Sequence, residues 1–228
     1  MSLQYKTDLK TAIKIVGKLI KKPHNTIFLF QLLHATNAPS LKWTYQKLLE
    51  TEQGGGVAYS SEEVYEHFPT LVNRPEGSVG KHCHNMFPNQ ELLIKISKRK
   101  SNDVWIEAKH PYNWMARRYR DTHDTWHVLT GYDTQILGEM CLAMFSFAQT
   151  KSLGWLLISF VGFAYRGMKL SDIGLIREAY LRGKNAKFLL AENYDKLFDE
   201  DLIALVDTTL AGEALGGVQF VSLQSKHH

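Results

Sequence analysis

Cysteine is almost missing from this chain: Cys83 and Cys141 are the only two in 228 residues, far apart and in dissimilar surroundings. That excludes a disulfide framework and fits a reducing compartment. Proline stops early. All six prolines fall at or before Pro111, so no ring closure breaks a helix beyond that point. Long apolar runs are lacking too: the longest, 153–165, has thirteen residues, short of the roughly 18 that a spanning helix requires. The first apolar residues are interspersed with lysine and follow no Arg- and Ser-rich leader. Neither a secretory signal nor a transit peptide is therefore expected. Acidic residues are scarce at the front, where residues 1–22 hold six lysines against Asp8 alone.

What is present describes a folded helical protein. An apolar share of 44% supports a buried core, and 228 residues suffice for one core but are short for two. In the proline-free half the apolar residues recur at helical intervals, so residues 1–228 read as an all-α, single-domain multi-helix bundle. The spacing predicts helices over 112–129, 134–150, 153–166, 171–182, 184–196 and 199–210, after earlier ones at 26–36 and 41–49. Gly54, Gly55 and Gly56 read as a loop, Ser61 as a helix start, and 69–80 as turn-rich ground. Segment 91–96 reads as strand or helix, and 98–103 as a polar loop. In the first segment Tyr5, Leu9, Ile13, Val16 and Ile20 form an apolar stripe beside Lys6, Lys10, Lys14, Lys18 and Lys22, until Pro23 stops it. That is the composition of an interfacial helix over 1–22, drawn to anionic lipid.

The net charge of +4 is unevenly spread: 95–120 holds eight Lys or Arg against Asp103 and Glu107, while 191–213 holds seven acids and one lysine. Such asymmetry points to an anionic partner for the amino-terminal half, either a membrane surface or a phosphorylated or carboxylated ligand. Nucleic acid is set aside, because no reader motif accompanies the basic clusters. The expected location is cytoplasmic and peripherally membrane-associated.

Chemistry concentrates between Arg117 and Glu139. His123 and His127 are four apart, so on a helix both imidazoles project from one face. If 130–133 is the turn between two antiparallel helices, Glu139 comes level with 124, between the two imidazoles in height. Two neutral imidazoles and a carboxylate make a three-ligand site with a position open for water or substrate. Asp124 stands where the His-Glu-x-x-His proteases carry their general base. A carboxylate one methylene shorter argues against peptidase chemistry and suits a further ligand or a group that orients water. The same donor set accepts non-haem iron, so spacing leaves the metal open. The ordinary alternative is a surface helix with intrahelical pairs Arg117–Asp121 and Arg120–Asp124. His82-Cys83-His84 is not expected to ligate, since adjacent residues point in different directions.

Arg117, Arg118, Tyr119 and Arg120 precede the ligand candidates and form the expected substrate-binding group, with Arg118 the preferred grip on an anion. Tyr119, four residues before His123, is placed to contact its ring or a metal-bound water. Trp155, Phe160 and Phe163 are candidates for lipid or membrane contact within 153–165. Met140, Met144 and Phe147 read as core.

The run Arg118-Tyr119-Arg120-Asp121-Thr122-His123-Asp124-Thr125-Trp126-His127, with Glu139 after eleven intervening residues, resembles the His-Asp-x-x-His-x(11)-Glu signature of the coenzyme Q biosynthesis protein 4 family. Pro75-Glu76-Gly77-Ser78-Val79-Gly80 resembles the family's Pro-x-Gly-Thr-x-Gly turn, and 180–190 its carboxy-terminal helix pair. The likeness spans roughly 70–210. It implies an all-helical protein, peripheral to membranes and needed for making ubiquinone or a related prenylated quinone. It further implies His123, Asp124, His127 and Glu139 as ligands of a divalent metal, Zn2+ first with Mg2+ or Fe2+ as alternatives. The ligand would be an isoprenoid or prenylquinone-precursor lipid, and the partners other quinone-biosynthesis proteins, with a homodimer as a further expectation. The implied activity is metal-dependent, oxidative decarboxylation of a polyprenyl-hydroxybenzoate ring, with Asp124 as the catalytic group. Its alternative is a non-catalytic scaffold that binds the lipid and organises the complex. A metal-dependent phosphohydrolase is a lesser alternative, for which His34, His67 and His110 offer no ligand pattern.

Overall fold

Helix follows helix through the residues that the computed structural model describes, 7–22, 25–36, 38–88, 111–167 and 169–209. In chain order these are α1 (Leu9–Lys21), α2 (Thr26–Thr36), α3 (Ala38–Leu49), α4 (Gly54–Ser60), a 3-10 stretch (Val64–Asn73) and α5 (Val79–Met86). There follow α6 (Tyr112–Thr130), α7 (Ile136–Thr150), α8 (Leu153–Arg166), α9 (Leu170–Asn185), a 3-10 turn (Leu189–Ala191), α10 (Tyr194–Leu197) and α11 (Leu202–Thr209). Among the described residues there is no strand, only an isolated bridge between Ser78 and Asp201. The all-α bundle expected from apolar periodicity is the architecture observed. The Pro23 stop, Tyr5 and Lys6, segments 91–96 and 98–103, His110 and most of the basic stretch 95–120 lie outside the described residues.

Three local expectations differ from the structure, each for a tertiary reason. Gly54, Gly55 and Gly56 begin α4 instead of forming a loop. The chain doubles back so tightly after α3 that a Cβ on Gly54 would sit 1.8 Å from the Leu48 carbonyl oxygen. Ser61 ends α4 in the left-handed region, with φ of 50°, instead of starting a helix. The helix predicted over 184–196 is instead the end of α9, an extended link, one 3-10 turn and α10. Buried Gln149 competes there for the backbone: its amide nitrogen donates to the Gly183 carbonyl at 2.6 Å, and its oxygen accepts the Leu189 N–H at 3.0 Å.

Helix α6 is the axis of the molecule. Trp114, Met115, Ala116, Tyr119, Trp126, Val128 and Leu129 are buried, and so are Arg118, Arg120 and Asp121. Its apolar side chains join one large core with α3, α4, the 3-10 stretch, α5 and the segment 188–205. The turn at 75–80 latches that carboxy-terminal segment. Gly77 adopts φ of 81°, Ser78 caps α5, and the N–H groups of Val79 and Gly80 donate to Glu200 and Phe198, both at 2.9 Å. Helix α7 packs against both α8 and α9.

Helices α1, α2 and α8 form a second apolar cluster. Its contents correct the sequence reading of α1. The buried residues are Ala12, Ile15 and Leu19, whereas Leu9, Ile13 and Ile20 of the expected stripe face outward, Ile13 being 72% exposed. Leu32 of α2 and Val161 of α8 close on the Ala12–Ile15–Leu19 side. The lysine helix therefore keeps an apolar strip on its outer surface.

Candidate metal centre

Helix α6 ends at Gly131, which takes φ of 73° and donates its N–H to the His127 carbonyl at 2.9 Å. The chain then folds directly back into α7. Asp133 accepts the Gln135 N–H at 3.0 Å, so it caps the turn itself while Gln135 holds the cap position of α7. Gly138 admits the turn: a Cβ there would meet the Asp133 carbonyl oxygen at 2.2 Å. Arg182 on α9 donates to the Thr130 carbonyl at 3.1 Å, steadying the end of α6.

This hairpin brings His123, His127 and Glu139 together, with one ligand atom from each lying within 4.8 Å of the others. His123 Nε2 is 3.4 Å from Glu139 Oε2, and His127 Nε2 is 3.3 Å from Glu139 Oε1. His127 Nδ1 lies 2.9 Å from the Tyr132 carbonyl oxygen. A carbonyl only accepts, so Nδ1 carries a proton and Nε2 is left as the atom that faces Glu139, the orientation in which metal-ligating histidines are usually held. His123 Nδ1 is buried without a hydrogen-bond partner. The donor set fits a divalent transition metal, with two imidazoles and a carboxylate and, among the described residues, no cysteine in the cluster.

Electrostatics agree with that fit. Burial alone would raise the Glu139 carboxyl, but hydrogen bonds from His123 and His127 outweigh it and hold it well below the usual carboxylate range. Burial would lower His127, yet the Glu139 carboxylate wins and raises it. Without a cation, a proton on His127 is what balances the Glu139 charge. A divalent cation would take the place of that proton.

Asp124 lies outside this three-residue set. It flanks the site on α6, and burial pushes its carboxyl above the ordinary aspartate value despite the pull of His123 and His127. The four residues expected to bind substrate are engaged elsewhere. Arg117 makes a two-point pair with Glu63, its Nε lying 3.0 and 3.1 Å from the carboxylate oxygens. Arg118, expected to grip a substrate anion, is 1% exposed and bonds to Glu62 at 3.1 Å and to the carbonyls of Leu190 and Glu192. Tyr119 reaches Thr44 and Ser40 instead of His123. Arg120 pairs with its neighbour Asp121 at 2.6 Å. Cys83 is buried, its thiol pushed up to about 12, and belongs to no such cluster among the described residues.

The lipid-contact candidates separate. Trp155 is buried and stacks on His123, ring centroids 4.9 Å apart at 11°. Phe163 is half-buried against the Met140–Ile176 cluster, and Phe160 is 56% exposed. Met140 is buried as expected, with Met144 and Phe147 partly so. Sequence reasoning gave no signal for two neighbours of the site, Trp155 as the ring stacked on His123 and Phe87 beside His127 at 6.1 Å. Both come from elements distant in sequence.

Comparison with known proteins places these residues in a wider group. The family model for "Coenzyme Q (ubiquinone) biosynthesis protein Coq4" matches residues 6–210, which takes in α1 to α4 as well as the signature. A mitochondrial ubiquinone biosynthesis protein COQ4 homolog of Bombyx mori is 24% identical over 79% of this chain and 70% of its own length. The Homo sapiens homolog is 32% identical over 59% of this chain, and the match spans about half of that protein, 51%. In three dimensions the chain is similar to the crystal structure of a candidate ubiquinone biosynthesis protein from Nostoc punctiforme. The TM-score is 0.62 at 17% identity, covering 91% of this chain and 100% of that one; at such identity the likeness concerns the fold.

Proposed function

The chain belongs to the coenzyme Q (ubiquinone) biosynthesis protein Coq4 family, and from there we propose that it works in ubiquinone or related prenylquinone synthesis as a metal-dependent binder of a polyprenylated ring intermediate, from which it removes the ring carboxylate. The single observation that carries this reading is the convergence of His123, His127 and Glu139 on one point. These three residues would hold a divalent ion, Zn2+ first. Such an ion supplies Lewis-acid polarisation of a bound oxygen.

The chain's own groups supply the rest. Tyr132 fixes the His127 ring through Nδ1, and the Trp155 indole fixes the His123 ring by stacking. Asp124 is the residue suited to hold a proton, because burial raises its carboxyl above the ordinary value. Loss of CO2 breaks the ring–carboxylate bond and leaves its electron pair on the ring carbon, which a proton from Asp124 would quench. Arg118 is not assigned to the substrate, since its donors are committed to Glu62 and two carbonyls.

Membrane contact is proposed for α1. Its exposed Leu9, Ile13 and Ile20 stand among Lys10, Lys14, Lys18 and Lys21, an apolar strip with cationic edges. No helix among the described residues is long and apolar enough to cross a membrane.

The test is turnover by the purified, metal-loaded protein of a prenylated hydroxybenzoate carrying labelled carboxyl carbon. Labelled CO2 that disappears in His123→Ala and His127→Ala supports the reading. Binding of the lipid without CO2 release would replace it by a scaffold that holds the intermediate.

A further inference from the structure

Helix α8, which sets Trp155 against the metal cluster, carries two buried donors with no acceptor among the described residues. Trp155 is 5% exposed, and its indole Nε1–H is buried without a hydrogen-bond partner. Ser159, 2% exposed, carries a buried hydroxyl in the same condition. The two are four residues apart on α8, so they share one face of that helix. That face turns inward. Trp155 stacks on His123, and one turn beyond Ser159 a Cβ on Gly162 would meet Met140 at 2.3 Å.

An orphaned buried donor is destabilising, and tryptophan normally finds an acceptor for its N–H when buried. Were Trp155 only a packing residue, a phenylalanine would fill the same space without that cost. Serine hydroxyls on helices commonly turn back to the carbonyl four residues earlier, as Thr122, Thr130 and Thr150 do here. Ser159 does not. Two unsatisfied donors on one face, one of them stacked on a ligand candidate, call for an oxygen that the described residues do not supply.

We propose that Trp155 and Ser159 form a donor subsite for a ring oxygen of a quinone-type head group bound beside His123. The chemistry is complementary: quinone carbonyl and ring alkoxy oxygens accept hydrogen bonds and donate none, and this wall of the site offers donors. Met140, flexible and polarizable, is the neighbour that can re-pack to admit the ring edge. This inference rests on the site proposed above for its place in the reaction, but not on the metal for its hydrogen bonds. Trp155 is thereby a ligand-binding residue as well as the ring that positions His123.

The experiment is calorimetric titration of the full chain with ubiquinone-1, a short-chain quinone used as probe, in parallel with metal analysis of each variant. Trp155→Phe keeps a ring against His123 and removes the N–H. It should weaken ubiquinone-1 binding by about tenfold and leave the metal content at the wild-type value. Ser159→Ala should weaken binding about threefold. Thermal unfolding without quinone supplies a second readout: Trp155→Phe should unfold at the wild-type temperature or above it, since no satisfied bond is lost. Equal affinity in wild type and Trp155→Phe, or no binding of ubiquinone-1 to wild type, overturns the subsite whether or not metal is present. Quinone binding that depends on Trp155 in a protein holding no metal supports the subsite and removes the metal reading instead.

Discussion

Glu62 and Glu139 are both partly buried and each faces histidine, yet the protein neutralises them by different means. Glu62 receives the Arg118 guanidinium at 3.1 Å, His67 at 3.2 Å, and the backbone N–H groups of Asp195 and Tyr194 at 2.9 and 3.3 Å. Those partners come from α6, the 3-10 stretch and α10, so one carboxylate ties three distant parts of the chain. Among the described residues, Glu139 receives only the two imidazoles of α6. A permanently charged guanidinium closes the first cluster, and groups that can exchange a proton for a metal make up the second. The first is a lock and the second a socket.

Removing a charge from the lock should have the largest effect. Arg118→Ala strands Glu62 and frees two buried carbonyls, and breaking a buried pair by deleting one partner costs about 3–5 kcal/mol. Urea unfolding should show the midpoint fall accordingly; an unchanged midpoint would mean that Glu62 is satisfied without Arg118. Next comes the socket with metal. Zinc at one hundred times its dissociation constant stabilises a protein by about 2.7 kcal/mol through binding alone. That increment should be present in wild type and in Arg117→Lys, and absent in His127→Ala. An equal zinc-dependent rise in unfolding temperature in His127→Ala would contradict the three-ligand assignment.

Acid separates the two clusters further. Burial would raise Glu62, but the His67 hydrogen bond, the Arg118 charge and the backbone N–H groups outweigh it and lower the carboxyl from 4.5 to about 2. A depressed carboxyl contributes stability above its unfolded value and loses it as pH falls through the folded one. The loss should therefore run from about pH 4.5 down to about pH 2. The shift corresponds to roughly 3 kcal/mol, and partial solvent access reduces it to about 2 kcal/mol. Unfolding across that range in Glu62→Gln should lack this slope.

The two clusters were unequally legible in the sequence. The socket was written locally: a four-residue spacing set His123 and His127 on one face, and a short turn brought Glu139 level with them. The lock was invisible, because Glu62 and Arg118 are 56 residues apart and Arg118 meets carbonyls of a segment mistaken for helix. For the same reason Arg118 looked like a free cation beside a metal site. Periodicity identified α1 as amphipathic but not which side packs, since Ala12 is a weaker apolar signal than Ile13, yet Ala12 lies in the cluster with α2 and α8. Arg117 followed the same pattern, its hydrogen-bonded partner being Glu63, 54 residues away.

The smallest expected effect is the most discriminating one. Metal-free, the socket depends on a proton: Glu139 lies below its usual range and His127 above its ordinary 6.5, each because of the other. The Glu139 contribution is present above its unfolded value of 4.5 and is lost as pH falls below that. The His127 contribution is full below 6.5 and is lost as pH rises through its raised folded value. Between those limits the pair is intact, and on the alkaline side it opens. Glu139 is 38% exposed, so screening keeps the effect on the order of 1 kcal/mol or less. In chelator-treated protein the urea midpoint should therefore decline gently as pH rises above 6.5, and Glu139→Gln should flatten that decline. Saturating zinc should flatten it too, because a bound cation takes over the role of the proton and does not leave as pH rises. A decline that survives both Glu139→Gln and zinc belongs to some other group, and it would remove the one property that distinguishes the socket from the lock.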